Sequence, residues 1–323
     1  MRVLVTGGCG FLGAAVVRQA IERGDHVLNL DRRRKATPCP QLGNTNGAKG
    51  YARIEADVSD RMLMRSFFRE FKPDAVIHLA AAGEEKDDAR IYDSEVGAVF
   101  SILEASRAHL GTLQGEARKK FRIVHAVRAD SDIGSSGKLT PYDAARVSAL
   151  QLIESWSYAQ ELPLVTCVAG DVFGPWQRDD TLMSQLVAGL LRTSKAQLTH
   201  GGAIMRDWLP LRDFADGMLC AAQAGAPLSR IDFSAGAERR DVELADALCA
   251  LLDIRSPLPN DASWSSLVEI IGNSVNSTGP MLDDTEAEVT LGWKPRGFHA
   301  GLDRMLNWAM TRYAPTHAAI AAE

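Results

Sequence analysis

Gly7, Gly10 and Gly13 are spaced three apart in the run Thr6-Gly7-Gly8-Cys9-Gly10-Phe11-Leu12-Gly13. Glycines at this spacing allow a tight turn, let backbone N–H groups approach a pyrophosphate, and let a following helix lie close to the preceding strand. The run follows the apolar Val3-Leu4-Val5 and opens an amphipathic stretch over 14–22. The order is therefore strand, turn, helix, with Phe11 and Leu12 at a helix N-terminus whose partial positive charge suits phosphate. A second apolar run, 26–30, ends in Asp31. A carboxylate at that distance accepts hydrogen bonds from both ribose hydroxyls of an adenosine half and repels a 2′-phosphate. The predicted chemistry is dinucleotide binding, with NAD preferred over NADP. Arg32, Arg33 and Arg34 follow directly. Arg32 stands where an arginine can hold a 2′-phosphate; the alternative for all three is a solvated basic loop.

These groups need a frame, and the first half of the chain supplies one. Short apolar strands are predicted over 2–6, 26–30, 52–56, 75–80, 122–127 and 164–169, with helices over 12–23, 61–71, 89–109 and 142–160 between them. Strand–helix alternation gives an α/β fold, a Rossmann-type doubly wound parallel sheet with helices on both faces. The second half mixes short strands (197–200, 230–233, 267–271) with helices (181–193, 213–224, 242–252, 299–312) and suits a smaller C-terminal α/β substrate lobe. The expected division is 1–172 for the dinucleotide-binding domain, 173–315 for the substrate lobe, with interleaving segments, and 316–323 for a frayed tail. The two lobes are expected to share a cleft.

Composition narrows the function classes. The 323 residues carry 36 Lys and Arg against 41 Asp and Glu, a net charge of −5, so no basic excess argues for nucleic acid. Cys9, Cys39, Cys167, Cys220 and Cys249 are scattered and form no CxxC pair, so they are expected to be reduced thiols, with Cys9 a small filler of the glycine loop. The seven histidines show no metal-ligand spacing, and no metal site is expected. No apolar run reaches the ~18 residues that suggest a bilayer span. The chain enters a strand at once after Met1-Arg2, so no targeting peptide is expected and the location expected is cytoplasmic.

Several stretches, in order, resemble the extended short-chain dehydrogenase/reductase family. They are TGGCGFLG at 6–13, Asp57-Val58 after the third strand, HLAAA at 78–82, Tyr142-x-x-x-Arg146, GDVFGPWQ at 170–177, MRDWLPLRDFADG at 205–217 and LGWKP at 291–295. Within that family the chain looks most like nucleotide-sugar 4,6-dehydratases of the dTDP-glucose type. The pointers are ILEASR at 102–107, EARKKFR at 116–122, GPWQ and RDWLPLRD. The resemblance implies NAD along the C-terminal edge of the sheet, with Asp57 and Val58 beside the adenine and Leu79, Ala80 and Ala81 lining the coenzyme bed. It implies that Arg206 holds a sugar-nucleotide diphosphate and that Trp176 and Gln177 stand at the mouth of the sugar site. Arg206 could equally pair with Asp207 or Asp213, and Trp176 could be lobe packing. A homodimer is implied through helices 89–109 and 142–160, although Leu150, Ile153 and Trp156 would also suit packing on their own sheet.

The same resemblance assigns the chemistry and marks where this chain departs from it. A tyrosine phenolate takes the proton of the sugar hydroxyl, and a lysine four residues later lowers the tyrosine pKa from the same helix face. Tyr142 is present, but position 146 is arginine, which offers charge without proton relay. The family's Ser-Thr-Asp-Glu at the end of the fifth strand reads Val127-Arg128-Ala129-Asp130. Arg128 replaces a hydroxyl, Ala129 replaces the general acid, and Asp130 is a base shortened by one methylene. Ser94 stands for the usual Asn of the fourth helix, Asp171 for the Asn after the sixth strand, and the second diphosphate arginine expected near 277–280 is missing. The expected function is NAD-dependent oxidation of a sugar hydroxyl on a nucleotide-linked hexose, of the 4,6-dehydratase or epimerase type. The alternatives are an oxidoreductase acting on another hydroxylated substrate, or an NAD-binding homologue with altered or lost catalysis.

Overall fold

The computed structural model describes residues 1–34, 36–45, 47–82, 87–129, 140–192, 195–236, 238–274, 277–279 and 281–313. Two compact units emerge: Met1–Ala169 with Phe214–Phe233 and Asp283–Lys294, and Gly170–Asp213 with Ser234–Leu282 and Pro295–Glu323.

The first unit is built on β1 (Arg2–Thr6), β2 (His26–Asp31), β3 (Tyr51–Glu55), β4 (Ala75–His78), β5 (Arg122–Arg128) and β6 (Leu164–Ala169). The helices between them are α1 (Phe11–Glu22), α2 (Arg61–Phe71), α3 (Asp88–Tyr92), α4 (Ala98–Leu110), α5 (Gly115–Lys120) and α6 (Pro141–Ala159). One turn of π-helix, Asp93–Gly97, joins α3 to α4. The strands form one parallel sheet in the order β3, β2, β1, β4, β5, β6. Helical crossovers join its parallel strands, and the order reverses after β1, where such sheets carry their ligand crevice. Leu4, Val76 and Ile123 lie on one face under Ile102, Leu103, Ala149 and Ile153, the buried stripes of α4 and α6. Ile153 thus belongs to its own unit's core, and Leu150 and Trp156 pack partly buried against the same cluster.

The second half adds α7 (Leu182–Leu191), α8 (Leu211–Ala224), α9 (Asp241–Arg255), α10 (Thr285–Leu291) and α11 (Phe298–Arg312). Its strands are β7 (Asp171–Phe173), β8 (Ala196–Leu198), β9 (Met205–Pro210), β10 (Ser229–Phe233), β11 (Glu238–Arg240) and β12 (Val268–Ile270). The sequence places the strand near 230–233 in the substrate lobe. In the fold β10 instead pairs with β6 in parallel and becomes the seventh strand of the main sheet. The physical reason is an alternating burial that sequence alone does not assign to a partner: Ile231 and Phe233 are fully buried. The second unit holds a sheet β11-β9-β7 and a two-stranded β12-β8. β7, β9 and β11 have only three to six residues and escape a periodicity reading. Trp208, Leu248, Trp264, Phe298 and Leu306 are part of this unit's own core.

Candidate active site and coenzyme bed

The glycine loop is shaped by close backbone approach. Gly7 has φ +69°, and a Cβ there would lie 2.7 Å from the Leu79 carbonyl oxygen and 2.8 Å from the Ala80 Cα. Thr6, the last residue of β1, fastens the same meeting: its Oγ accepts from the N–H groups of Leu79 and Ala80, each at 3.2 Å. A Cβ on Gly13 would press on the Gly7 carbonyl, within 2.8 Å of the Gly7 carbonyl carbon and the Gly8 Cα. That is the strand–helix closeness the motif demands. Gly10 is the N-cap of α1 and makes no side-chain capping bond, so the first-turn amides of Phe11 and Leu12 keep the polarity that suits an anion.

Asp31 closes this end of the bed. Its carboxylate accepts the Cys9 N–H and the Arg33 N–H, both at 2.8 Å. The Ala56 N–H donates to the Asp31 carbonyl at 3.0 Å, which brings the segment of Asp57 and Val58 alongside. Val58 is buried, while Asp57 caps its own turn by accepting from Ser59. Arg32 is placed otherwise than as a ribose-side cation: Nη1 donates to Ser94 Oγ at 2.8 Å and Nη2 to the Ala82 carbonyl at 3.5 Å. Arg33 and Arg34 are exposed, and Arg53 holds their carbonyls at 2.9 and 2.7 Å. Cys9 is a buried thiol whose pKa burial pushes up, consistent with a filler. These residues fit a dinucleotide: a turn with room for backbone alone, an uncapped helix N-terminus, and a carboxylate at the end of β2.

The tyrosine centre is assembled from β4, β5, the π turn and α6. Thr140 and Asp143 form a capping box, with Pro141 at the first helical position, and this fixes the start of α6. Tyr142 packs against Ala82, Ile91 and Ala145. Arg146 lies one turn further, its guanidinium carbon 5.6 Å from the Tyr142 ring centroid. A cation held there favours the charged form of a phenol. Glu95, from the π turn, is buried and accepts the Ala82 N–H at 2.6 Å. Burial pushes its carboxyl pKa up, against the fields of Arg146 and Arg32.

Beneath this lie His78 and His125, stacked with centroids 5.4 Å apart. Burial lowers His78 to about 3 and His125 to about 4, with the charge of Arg146 adding to the second shift. Both are therefore neutral at ordinary pH. Thr6 Oγ already accepts two amides, so its hydroxyl proton goes to His78 Nδ1 at 2.7 Å. Neither Glu95 nor the histidine pair is marked by spacing in the sequence. The sole signal for Glu95 is a carboxylate set just before the apolar stretch of α4.

Arg128 is the exposed last residue of β5, and the Ala129 N–H that follows donates to the Ala169 carbonyl at 2.9 Å. Asp130 lies outside the described residues. Ala129 carries no acid, and its backbone simply extends the pairing with β6.

In the second unit, β7 and β9 place Arg206 beside Asp171, and Asp241 opens α9 next to them. Arg206 Nε donates to Asp241 Oδ1 at 2.9 Å and Nη1 to Asp171 Oδ2 at 3.3 Å. The partners suggested by the sequence, Asp207 and Asp213, have other duties: Asp207 accepts the Ala235 N–H and Asp213 the Arg296 N–H. Chain neighbours on a strand point to opposite faces, so Asp207 faces away from Arg206. Trp176 has φ +71°, a conformation side chains other than glycine rarely hold, and its ring meets Trp308 at 5.5 Å. Gln177 is buried, with its amide bonded to the Val172 carbonyl and the Gly174 N–H. It staples its own turn.

Among the described residues no group of three or more His, Cys, Asp or Glu is placed to hold a metal, and no helix is long and apolar enough to cross a membrane.

The NAD dependent epimerase/dehydratase family profile matches residues 3–236. A probable dTDP-glucose 4,6-dehydratase of Sinorhizobium fredii (strain NBRC 101917 / NGR234) is 28% identical over 95% of this chain and 92% of its own length. The dTDP-glucose 4,6-dehydratase of Neisseria gonorrhoeae is 28% identical over 95% and 94%. Among solved structures, the fold matches dTDP-glucose 4,6-dehydratase from Bacillus anthracis str. Ames in complex with NAD, with TM-score 0.78, 18% identity, and 97% and 98% of the two chains covered. It also matches UDP-glucuronic acid 4-epimerase from Bacillus cereus in complex with UDP-glucuronic acid and NAD, with TM-score 0.74, 18% identity, and 97% and 100% coverage.

Proposed function

The chain belongs to the NAD dependent epimerase/dehydratase family, and from that premise we propose that it oxidises a hydroxyl of a nucleotide-linked hexose, in the manner of a 4,6-dehydratase or 4-epimerase. The observation that carries the proposal is the Tyr142–Arg146 pair, one helical turn apart at the start of α6, with the guanidinium 5.6 Å from the ring. Relatives that match over almost the whole chain are named dTDP-glucose 4,6-dehydratases, which supports the substrate class.

NAD, when bound, supplies a hydride acceptor. Gly7, Gly10, Gly13 and the first-turn amides of Phe11 and Leu12 hold its phosphates, and Asp31 orients the adenosine ribose. Leu79, Ala80 and Ala81 line the bed, with Asp57 and Val58 at its adenine edge. Tyr142 Oη, as phenolate, accepts the proton of the sugar hydroxyl, and the charge of Arg146 keeps that phenolate accessible at working pH. Arg146 does not pass the proton onward, because a guanidinium does not deprotonate in this range. Ala129 offers no general acid for water loss, so oxidation and re-reduction at one carbon are favoured over elimination. Asp130, Arg128, Trp176 and Gln177 remain part of the proposed substrate side.

The test is Tyr142→Phe assayed against dTDP- and UDP-hexoses. Loss of turnover by about 10²- to 10⁴-fold with NAD affinity kept is expected, the range for a general base. Unchanged turnover in the variant would sink the assignment.

Arg206 favours a second reading. Its two carboxylate partners give the group Arg206, Asp171 and Asp241 a net charge of −1 where a diphosphate would be held. This suits a hydroxylated substrate without a diphosphate, or an NAD-binding homologue with reduced catalysis. NAD reduction by a non-nucleotide polyol, and not by any sugar nucleotide, separates the two. A homodimer through α4 and α6 completes the main reading, and sedimentation at micromolar protein checks it.

A further inference from the structure

Arg32 follows the carboxylate proposed to read the adenosine ribose, yet its guanidinium reaches Ser94 and Ala82. Three hydrogen bonds define where it goes. Nη1 donates to Ser94 Oγ at 2.8 Å, Nη2 to the Ala82 carbonyl at 3.5 Å, and the N–H of the same Ala82 donates to Glu95 Oε1 at 2.6 Å. Ala82 is thus held at its carbonyl by Arg32 and at its N–H by Glu95. Burial pushes the Glu95 carboxyl pKa up, while its bond from Ala82 and the charges of Arg146 and Arg32 oppose that shift. Ser94 and Glu95 are both buried, and both come from the π turn, where a widened helical turn re-aims side chains.

We propose that Ser94 and Glu95 are positioning residues for coenzyme choice: they hold Arg32 against Ala82, away from the adenosine ribose, so that Asp31 alone reads the 2′ position and NADP is refused. An arginine directly after the ribose carboxylate is the group that accommodates a 2′-phosphate when it is free to do so. Its guanidinium forks onto phosphate with paired N–H donors. Here the same fork is already engaged by a hydroxyl and a carbonyl, and the buried carboxylate of Glu95 holds the neighbouring Ala82 N–H. Arg33 is the competing candidate, since it is exposed and its own N–H donates to Asp31.

The experiment measures NAD and NADP affinity by calorimetry on the full chain, with no sugar present. The proposal rests on the coenzyme site and on no property of the sugar substrate, so a failed substrate search leaves it standing. The variants are Ser94→Ala, which removes the hydroxyl, and Glu95→Gln, which keeps an acceptor for the Ala82 N–H and removes the charge. Release of Arg32 is expected to lower the ratio Kd(NADP)/Kd(NAD) by about fivefold to tenfold, the scale of one partly exposed charge contact. A fall in either variant that disappears when Arg32→Ala is added supports the proposal. A ratio within twofold of the parent in both variants, or a fall that survives Arg32→Ala, overturns it; survival would move the role to Arg33.

Discussion

Gly13→Ala is the sharpest probe of the coenzyme bed. The added methyl would lie 2.8 Å from the Gly7 carbonyl carbon and from the Gly8 Cα, and closer still to the Gly7 carbonyl oxygen. All three are backbone atoms, and that oxygen already accepts the Gly10 N–H at 2.9 Å. The turn cannot give way without breaking its own bond. Overpacking of this kind costs about 1–3 kcal/mol. Gly13 is the third residue of α1, so alanine returns about 0.5–1 kcal/mol in helix propensity. The net loss expected in urea unfolding is up to about 2.5 kcal/mol. If the turn opens to admit the methyl, the Phe11 and Leu12 amides move off the pyrophosphate. NAD affinity then falls about tenfold for each 1.4 kcal/mol of lost contact. Gly24→Ala is the control. Gly24 has φ +81° but nothing within 4 Å of a new Cβ, so that variant carries backbone strain of about 1 kcal/mol without touching the bed. Calorimetric NAD titration of both variants decides the matter. If Gly13→Ala binds NAD within twofold of the parent, the strand–helix closeness is not what shapes the phosphate site.

Two further outcomes follow from the charges. Asp241→Ala leaves Arg206, itself more than two-thirds buried, without its 2.9 Å partner; a stability loss of about 1–3 kcal/mol is expected after discounting for its partial exposure, and urea midpoints check it. His78 and His125 have folded pKa values lowered to about 3 and about 4, so the unfolded chain binds protons that the folded chain does not. Stability is full above the ordinary histidine pKa of about 6.5 and falls as pH drops below it, by about 1.4 kcal/mol per histidine at pH 5.5. Urea midpoints that stay flat between pH 7 and 5.5 would contradict neutral buried imidazoles.

Much of the first unit was legible because its information is local. Gly7, Gly10, Gly13 and Asp31 need only a strand, a turn and a helix in succession, and strand–helix alternation dictates the parallel sheet around them. Tyr142 was singled out by the family resemblance, and the structure adds the Thr140–Asp143 capping box that starts its helix. The partners of charged groups were not. Arg32 reads as a ribose-side cation from its place after Asp31, yet it reaches Ser94, sixty-two positions away. Arg206 reads as a diphosphate holder or as a partner of Asp207 or Asp213, yet it pairs with Asp171 and Asp241.

The residue order by itself determined most strands and helices of the first unit and the glycine turn between β1 and α1, because those follow from side-chain period and glycine geometry within a few positions. The tertiary structure alone decided that β10 joins the main sheet, that a π turn brings Ser94 to Arg32 and Glu95 to the Ala82 N–H, and that Arg206 meets two carboxylates. Hydrogen bonds and ion pairs act over a few ångströms of space, and that closeness comes from sheet order and helix packing rather than from distance along the chain.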